Sequence, residues 1–172
     1  MAVPNPAHFF DQADKLMAPP PGGPPREVDL RRAISAAYYG LFHAVAAAAA
    51  DHYVGRTRHS TGLYALVYRS VEHKRLKTLC NAAKNSRLDA KYAPYVQAQN
   101  FGQDIQDFAK EVVQHQEKRH KHDYDPLTTA TLSDARLAVE SARAALARFN
   151  RANSGLREIF LGLLLFNLRD DK

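Results

Sequence analysis

Residues 101–119 read FGQDIQDFAKEVVQHQEKR, and this stretch decides the fold class. Its apolar side chains recur in steps of four and three residues, and the stripe they form is Phe101, Ile105, Phe108, Val112, His115 and Arg119. Steps of this size place side chains on one face of an α-helix. The stretch therefore predicts an amphipathic helix that packs into a bundle and becomes polar at its C-terminal end.

The same periodicity continues outward from this helix in both directions. The predicted helices cover about 6–17, 26–53, 62–85, 100–125 and 132–150. Thr131 with Asp134 resembles a capping box before the last of them. No run shows the two-residue period of a β-strand. The chain is therefore predicted to be an all-α helical bundle of four to five main helices.

Two segments interrupt or extend this bundle. The run APPPGGPP at 18–25 predicts a linker between the first and second helices, because proline removes backbone donors and glycine favours turns. We assign residues 1–152 to the bundle and 153–172 to an apolar C-terminal helix with a short charged tail. The apolar part, LREIFLGLLLFNL at 156–168, is too short to span a bilayer. It is either a core element of the monomer or part of a dimer or partner interface.

Composition and charge restrict the functional classes. The chain has 172 residues, 45% of them hydrophobic and 24% charged, which is typical of one soluble globular domain. The net charge is +6, and residues 56–91 hold nine lysines or arginines against two carboxylates. This bias indicates a polyanion such as RNA as partner, the alternative being a solvated basic helix face. The candidate RNA contacts are Arg69, Lys74, Arg75 and Lys77.

Cysteine usage and the N-terminus bear on location. The single cysteine, Cys80, excludes an intramolecular disulfide, and no signal peptide is evident at the start of the chain. We therefore expect a cytoplasmic protein without a membrane partner.

The candidate site lies in EKRHKHDYDP, residues 117–126. Arg119 continues the buried stripe, and burying an unpaired guanidinium is costly, so it should face a polar cavity, a groove or a partner. His122 lies three residues on and is expected on the same face, and Asp123 is placed to pair with Arg119. The alternative is a helix-terminal salt bridge with cations that the helix dipole favours. The side chains expected to face solvent are Lys118, His120 and Lys121.

Other chemistry finds little support in the sequence. No Gly-rich phosphate loop or catalytic serine motif occurs, and no cofactor is predicted. We predict no metal site, because the nearby histidines do not share one helix face; they are His115, His120 and His122. The aromatic residues of the second helix are expected to serve in core packing; they are Tyr38, Tyr39 and His43.

Three stretches resemble the HEPN-domain family. DLRRAISAAYYGLFHAV (29–45) is similar to the long second helix of HEPN proteins, with an Arg-rich start followed by an Ala-Tyr-Tyr and Phe-His pattern. RHKHDYDP (119–126) is similar to the Arg-x-x-Ala-Asp-Tyr-Asp ending of one HEPN branch, and FFDQADKLM (9–17) to its short opening helix. The resemblance covers about residues 7–150.

The resemblance implies an all-α bundle that forms homodimers. In active members, an arginine and a histidine four to six residues later lie at the dimer cleft and cleave RNA without a metal. The arginine would neutralise the scissile phosphate, and the histidine would exchange a proton with the ribose 2′-hydroxyl. Many such proteins act in toxin–antitoxin pairs or antiviral defence, so an antitoxin or a nucleotidyltransferase is an expected partner.

Carried onto this chain, the resemblance makes Arg119 the motif arginine. Tyr124 occupies the position where the histidine is expected, and His122 stands where the branch usually has alanine. One hypothesis makes the catalytic residues Arg119, His122, Tyr124 and Asp123. In it His122 is the acid or base, Tyr124 is a donor to phosphate, and Asp123 acts beside Arg119. The alternative is a HEPN protein that does not cleave and binds RNA, a nucleotide or a nucleotidyltransferase.

Overall fold

The structure is a computed structural model that describes residues 3–96 and 98–168 of the chain. Within these residues it is all-α, as predicted, with seven α-helices, one 3₁₀ turn and no strand. The helices are α1 (Ala7–Met17), α2 (Glu27–Tyr53), α3 (Gly62–Arg69), α4 (His73–Ala83), α5 (Gln103–Tyr124), α6 (Leu132–Arg151) and α7 (Ser154–Leu165), and the 3₁₀ turn is Arg56–Arg58. The charged tail expected at 169–172 lies outside the described residues.

The centre of the bundle is α2, which packs against α1, α3, α5, α6 and α7. Its alanine-rich sequence favours helix and lets neighbouring helices approach closely. Among the described residues, α2 is the one helix long and apolar enough to cross a membrane, yet 72% of its apolar window is buried inside the bundle. That burial is the property of a core helix.

The stripe predicted for α5 faces this core. Its members from Phe101 to His115 are at most 1% exposed. Phe108 stacks at a tilt on Phe149 of α6, with ring centroids 4.6 Å apart. The helix ends before Pro126, where Asp125 is extended. The result is a helix whose C-terminal turn emerges from the core and carries the candidate site.

The start of α6 confirms the predicted capping box. Thr131 accepts a hydrogen bond from the backbone N–H of Asp134, and the Asp134 carboxylate accepts one from the backbone N–H of Thr131. Two donors that the helix leaves unpaired are thereby satisfied.

The basic helix predicted over 62–85 is wrong as one element. The structure divides it into α3 and α4 at Ser70–Glu72, where Glu72 adopts an extended backbone. The side chain of Val71 is buried in this break. The break allows α3 to pack on α2 while α4 packs on α5, which one straight helix would not do. It also places the start of α4 beside the candidate site.

The C-terminal apolar segment joins the same core. The helix begins at Ser154, and Asn153 caps it by accepting a hydrogen bond from the N–H of Leu156. Phe160 is fully buried and contacts the rings of Phe108 and Phe149. The helix therefore packs into the core of the monomer, whereas Phe166 just beyond it is 61% exposed.

The opening helix α1 is fixed to α2 by a close approach. A Cβ added at Gly40 would lie 2.7 Å from the ring of Phe10, so only glycine leaves room for that ring. The preceding residue of α1, Phe9, stacks on His43 of α2 at 4.5 Å between ring centroids. These contacts hold α1 in place despite the linker at 18–25 that follows it.

Candidate phosphate-binding cavity

The site is formed where the last turns of α5 meet α2 and α4. Arg119 leaves the buried stripe here, and its side chain is 15% exposed. Its guanidinium carbon lies 5.6 Å from the ring centroid of Tyr38, 5.8 Å from that of Tyr39 and 6.0 Å from that of Tyr124. Aromatic faces attract a cation at such distances, so three tyrosines surround the charge.

The polar contacts of Arg119 are few. Its Nη1 lies 3.6 Å from a carboxylate oxygen of Asp123, which is an ion pair without a hydrogen bond. Its Nε is sealed from solvent and has no acceptor. Among the described residues, no group accepts a hydrogen bond from Arg119. A mostly buried guanidinium that the protein leaves without acceptors has its Nη donors available for a ligand.

Asp123 is itself held in place from α2. One of its carboxylate oxygens accepts a hydrogen bond from the Ser35 hydroxyl at 2.5 Å, and the other faces Arg119. The predicted pairing of Asp123 with Arg119 is therefore present. The contacts make Asp123 a residue that orients the guanidinium, and the catalytic role proposed for it from the sequence stays a prediction.

An open cavity of about 500 Å³ lies in front of Arg119. It is lined by Lys77, Gln116, Glu117, Arg119, His120, Lys121, Tyr124 and Asp125. The rings of His120 and Tyr124 lie 5.0 Å apart, and Tyr124 is 67% exposed. Lys77 is paired with Glu117 at 3.5 Å on one wall. A guanidinium, two lysines and an exposed aromatic ring together match a phosphate next to a nucleobase.

Comparisons with known proteins add no relative. No family model, curated protein or solved structure matches this chain. What the cavity can do follows from the contacts of its own residues.

The structure does not place His122 in this cavity. His122 lines a separate cleft of about 420 Å³ together with Arg31 and Arg32. The helical angle does not explain this, because three residues leave His122 only about 60° from Arg119 around the helix. The deciding contact is with α2, whose Arg31 and Arg32 line the cleft that holds His122. Burial lowers the pKa of His122, and the nearby positive charge of Arg31 adds to the effect. The histidine beside Arg119 in the cavity is His120, which the sequence placed on the solvent side.

Arg31 explains how this end of α5 is anchored. Its guanidinium donates to three backbone carbonyls at 2.8 to 3.1 Å, those of His122, Asp125 and Thr128. Carbonyls at a helix C-terminus lack partners within the helix, and a cation there also matches the helix dipole. Nothing in the local sequence around Arg31 indicates this role, because its partners lie 91 to 97 residues away.

The four basic residues predicted to bind RNA separate into different environments. Lys77 lines the cavity, and Arg69 and Lys74 are exposed. Arg75 instead caps α7: it donates to the carbonyl of Leu163 at 3.0 and 3.2 Å, to that of Phe166, and to the side chain of Asn167. With these donors in use, Arg75 is a structural residue, and Lys77 is the one that the structure brings to Arg119.

Sequence reasoning missed His73, at the start of α4. It stood in a basic run and gave no signal of its own, while Tyr38 and Tyr39 were assigned to packing. Nδ1 of His73 is hydrogen-bonded to the Tyr38 hydroxyl at 2.8 Å, and its ring stacks on Phe42 at 3.7 Å between centroids. Residues 3–96 and 98–168 contain no group of three potential metal ligands.

Proposed function

We propose that this protein binds single-stranded RNA in the Arg119 cavity and cleaves it without a metal ion, as its resemblance to HEPN proteins implies. One observation supports the proposal above the others: Arg119 is 15% exposed, surrounded by tyrosines, and donates to no described residue. The planar guanidinium matches the oxygens of a phosphate, to which it donates two parallel hydrogen bonds.

The charges of the cavity support a polyanion. Lys77 and Lys121 line the same cavity as Arg119, so a phosphate on the guanidinium would have two further cations nearby. Glu117 offsets part of the charge of Lys77 through their ion pair at 3.5 Å. The predicted ligand is therefore one or two consecutive phosphates of a strand rather than a highly charged small anion.

The aromatic side chains favour a single strand. Tyr124 is largely exposed and has His120 beside it, so an unpaired base can stack on this pair. Bases within a duplex already stack on their neighbours and do not offer a face. RNA is preferred over DNA in this proposal because its 2′-hydroxyl supplies the nucleophile.

The proposed reaction is an internal transesterification. The 2′-oxygen attacks the adjacent phosphorus, its proton goes to a base, and the bond from phosphorus to the 5′-oxygen breaks as that oxygen takes up a proton. The products are a 2′,3′-cyclic phosphate and a 5′-hydroxyl. Arg119 would stabilise the negative charge that grows on the phosphoryl oxygens, which is where a preorganised cation contributes most.

A homodimer would complete this site. Apolar side chains are exposed around the same end of the bundle: Val28 is 50% exposed and Leu127 88% exposed. Val28 also lines the cleft that contains His122, beside Pro126. Exposed apolar side chains next to a functional site are typical of an interface, so we propose that a second copy packs here and narrows the cleft. Sedimentation of Leu127→Asp against the wild type tests this, since the variant should shift a dimer to monomer.

The test of the function uses purified protein and a short single-stranded RNA with EDTA present. We expect cleavage to a 2′,3′-cyclic phosphate, no cleavage when the substrate carries 2′-deoxy sugars, and loss of cleavage in Arg119→Ala. RNA that stays intact at high protein concentration contradicts the proposal.

A second candidate is a non-catalytic binding module, favoured by Tyr124 at the position where active HEPN proteins have histidine. In this form the same cavity binds RNA or a nucleotide, or it docks a nucleotidyltransferase. The protein would then be one member of a cytoplasmic toxin–antitoxin or defence pair, in which one member regulates the other. Tight RNA binding that Arg119→Ala removes, without any cleavage, selects this candidate.

A further inference from the structure

His73 contacts a residue that lines the Arg119 cavity, although it belongs to a different helix. It is the first residue of α4, and Lys77, one turn later on the same helix, lines the cavity wall. From α5, the side-chain amide of Gln116 donates to the backbone carbonyl of His73 at 3.4 Å. Gln116 also lines the cavity, so the start of α4 is held against it.

His73 and Arg119 contact the same pair of tyrosines. The ring of His73 lies 5.6 Å from that of Tyr38 and 6.1 Å from that of Tyr39, measured between centroids. The guanidinium carbon of Arg119 lies 5.6 and 5.8 Å from these two rings. The side chains of His73 and Arg119 therefore pack against the same two tyrosine rings.

One ring nitrogen of His73 has a hydrogen-bond partner in the protein and the other has none among the described residues. Nδ1 is hydrogen-bonded to the hydroxyl of Tyr38 at 2.8 Å, and Phe42 stacks on the ring. Nε2 has no hydrogen-bond partner among the described residues. The His73 side chain is partly exposed, so the imidazole is not sealed from solvent. Nε2 can therefore exchange a proton with a ligand.

We propose that His73 is the general base of the cleavage reaction and supplies, from α4, the imidazole that the motif on α5 lacks at Tyr124. This inference rests on the proposed function. Nε2 of neutral His73 takes the proton of the ribose 2′-hydroxyl as the 2′-oxygen attacks the phosphate on Arg119. The 5′-oxygen leaves and takes a proton from water in the open cavity, and His73 later returns its own proton to solvent.

Tyr38 is the positioning residue in this arrangement. When Nδ1–H of His73 donates to the Tyr38 hydroxyl oxygen, the lone pair is on Nε2, facing away from the tyrosine. The same hydrogen bond remains after Nε2 is protonated. Burial raises the pKa of Tyr38, so its hydroxyl stays neutral over the working range.

The charges around His73 keep it neutral until the reaction. Burial lowers its pKa, and the positive charge of Arg119 lowers it further. The other titratable groups that face it are Tyr38, Tyr39 and His43 of α2, and His43 couples to it. A pKa below the ordinary 6.5 leaves the base in its active, unprotonated form at neutral pH.

The first experiment compares His73→Gln with the wild type and with His8→Gln, which changes an exposed histidine on α1. Glutamine keeps a hydrogen-bonding group for Tyr38 but cannot take a proton. We expect single-turnover cleavage to fall by about 10²–10⁴-fold in His73→Gln, with RNA affinity unchanged and His8→Gln like the wild type. Cleavage at the wild-type rate in His73→Gln overturns the inference while leaving the proposed function intact.

The pH dependence separates a base from a merely structural residue. In the wild type, log(kcat/KM) should fall with a slope of one as the pH drops through the pKa of His73, below 6.5, and this limb should disappear in His73→Gln. Tyr38→Phe should keep the limb and lower kcat without changing KM. An acid limb that persists in His73→Gln assigns it to another group and contradicts the inference.

A third measurement uses the wild-type chain, so it does not depend on the folding of a variant. The imidazole resonances of His73 are followed by NMR during addition of a 2′-deoxy oligonucleotide, which binds but has no nucleophile. We expect Nε2 of His73 to shift while His8 does not. Binding without any shift at His73 shows that the ring does not touch the ligand. Wild-type protein that leaves RNA intact removes the proposed function, and this inference with it.

Discussion

Two arginines at the C-terminal end of α5 have opposite uses. Arg31 reaches across from α2 and donates to three backbone carbonyls of the segment His122–Thr128. Arg119, on α5 itself, is more than four-fifths buried and donates to no described residue. Burial alone does not distinguish them. What differs is how many of their five donors the protein uses, and that difference separates an anchoring residue from one that is ready for a ligand.

The two arrangements depend on each other. Arg31 fixes the backbone on one side of the helix end, and on the other side Ser35 fixes Asp123, which faces Arg119. A guanidinium can keep unused donors in a defined position only if the backbone beneath it does not move. The contacts of Arg31 therefore help to keep the Arg119 guanidinium in position.

Between the two arginines, the largest expected effect is the loss of activity in Arg119→Ala. Removing one group that stabilises charge in a transition state typically lowers the rate by about 10²–10³-fold, and we expect at least this loss of RNA cleavage. The melting temperature should change little, because no hydrogen bond is lost. Arg119→Lys is the matched variant, because it keeps the positive charge but loses the planar guanidinium. Its activity should lie between that of the wild type and that of Arg119→Ala. A large fall in melting temperature for Arg119→Ala would make Arg119 an anchoring residue like Arg31.

The second effect is on stability and should appear in Arg31→Ala. Three carbonyls lose a charged donor, so we expect the free energy of unfolding to fall by about 3 kcal/mol and the melting temperature by about 6–12 °C. The neighbouring exposed residue provides the control, since Arg32→Ala should change the free energy by less than about 0.5 kcal/mol. Thermal melts of the two variants that coincide would contradict the anchoring role.

The third effect comes from His115, one turn before Arg119 on the same stripe. Burial lowers its pKa to about 4, with Lys118 adding to the effect, whereas the unfolded chain has a value near 6.5. Between these values the unfolded state binds more protons, so stability is lost as the pH falls. Between pH 7 and pH 5 we expect a loss of about 2 kcal/mol from this residue. Denaturant unfolding of the wild type and of His115→Gln at both pH values measures this contribution. The loss of unfolding free energy between pH 7 and pH 5 should be about 2 kcal/mol smaller in His115→Gln. An unchanged pH dependence would contradict the assignment.

The smallest effect concerns the lysines of the cavity. Lys77→Ala and Lys121→Ala should each reduce the slope of log affinity for RNA against log salt concentration by about one, with modest loss of affinity. Lys110→Ala is the control on α5, because Lys110 pairs with Asp107 away from the cavity. Equal slopes for all three variants would place the strand elsewhere on the surface.

The sequence predicted what depends on spacing along the chain. The three-and-four stripe of α5 is buried, the Thr131–Asp134 capping box is present, and the helix ends before Pro126. Each of these is a local relation within one helix or at its end, and the residue types involved have strong preferences there. The inward position of Arg119 belongs to this class, because it follows from the same stripe.

The sequence did not predict what depends on contacts between helices. The break at Ser70–Glu72 was missed because helical periodicity continues on both sides of it. The hydrogen bond between Tyr38 and His73 joins residues 35 positions apart, and nothing in their local sequence marks it. The choice between His120 and His122 depended on where α2 and α4 lie around α5, which a helical angle alone does not give.

The close fit of Phe10 against Gly40 restricts how this fold can vary. Because a methyl group at position 40 would overlap the ring, a larger residue there requires a smaller one at position 10. The guanidinium carbon of Arg143 of α6 lies 5.5 Å from the ring centroid of Phe10. The Phe10 side chain, which belongs to α1, therefore contacts both α2 and α6. Among chains that share an ancestor with this one, positions 10 and 40 should therefore change together. Substitution at both positions would indicate a bundle in which α1 packs differently on α2.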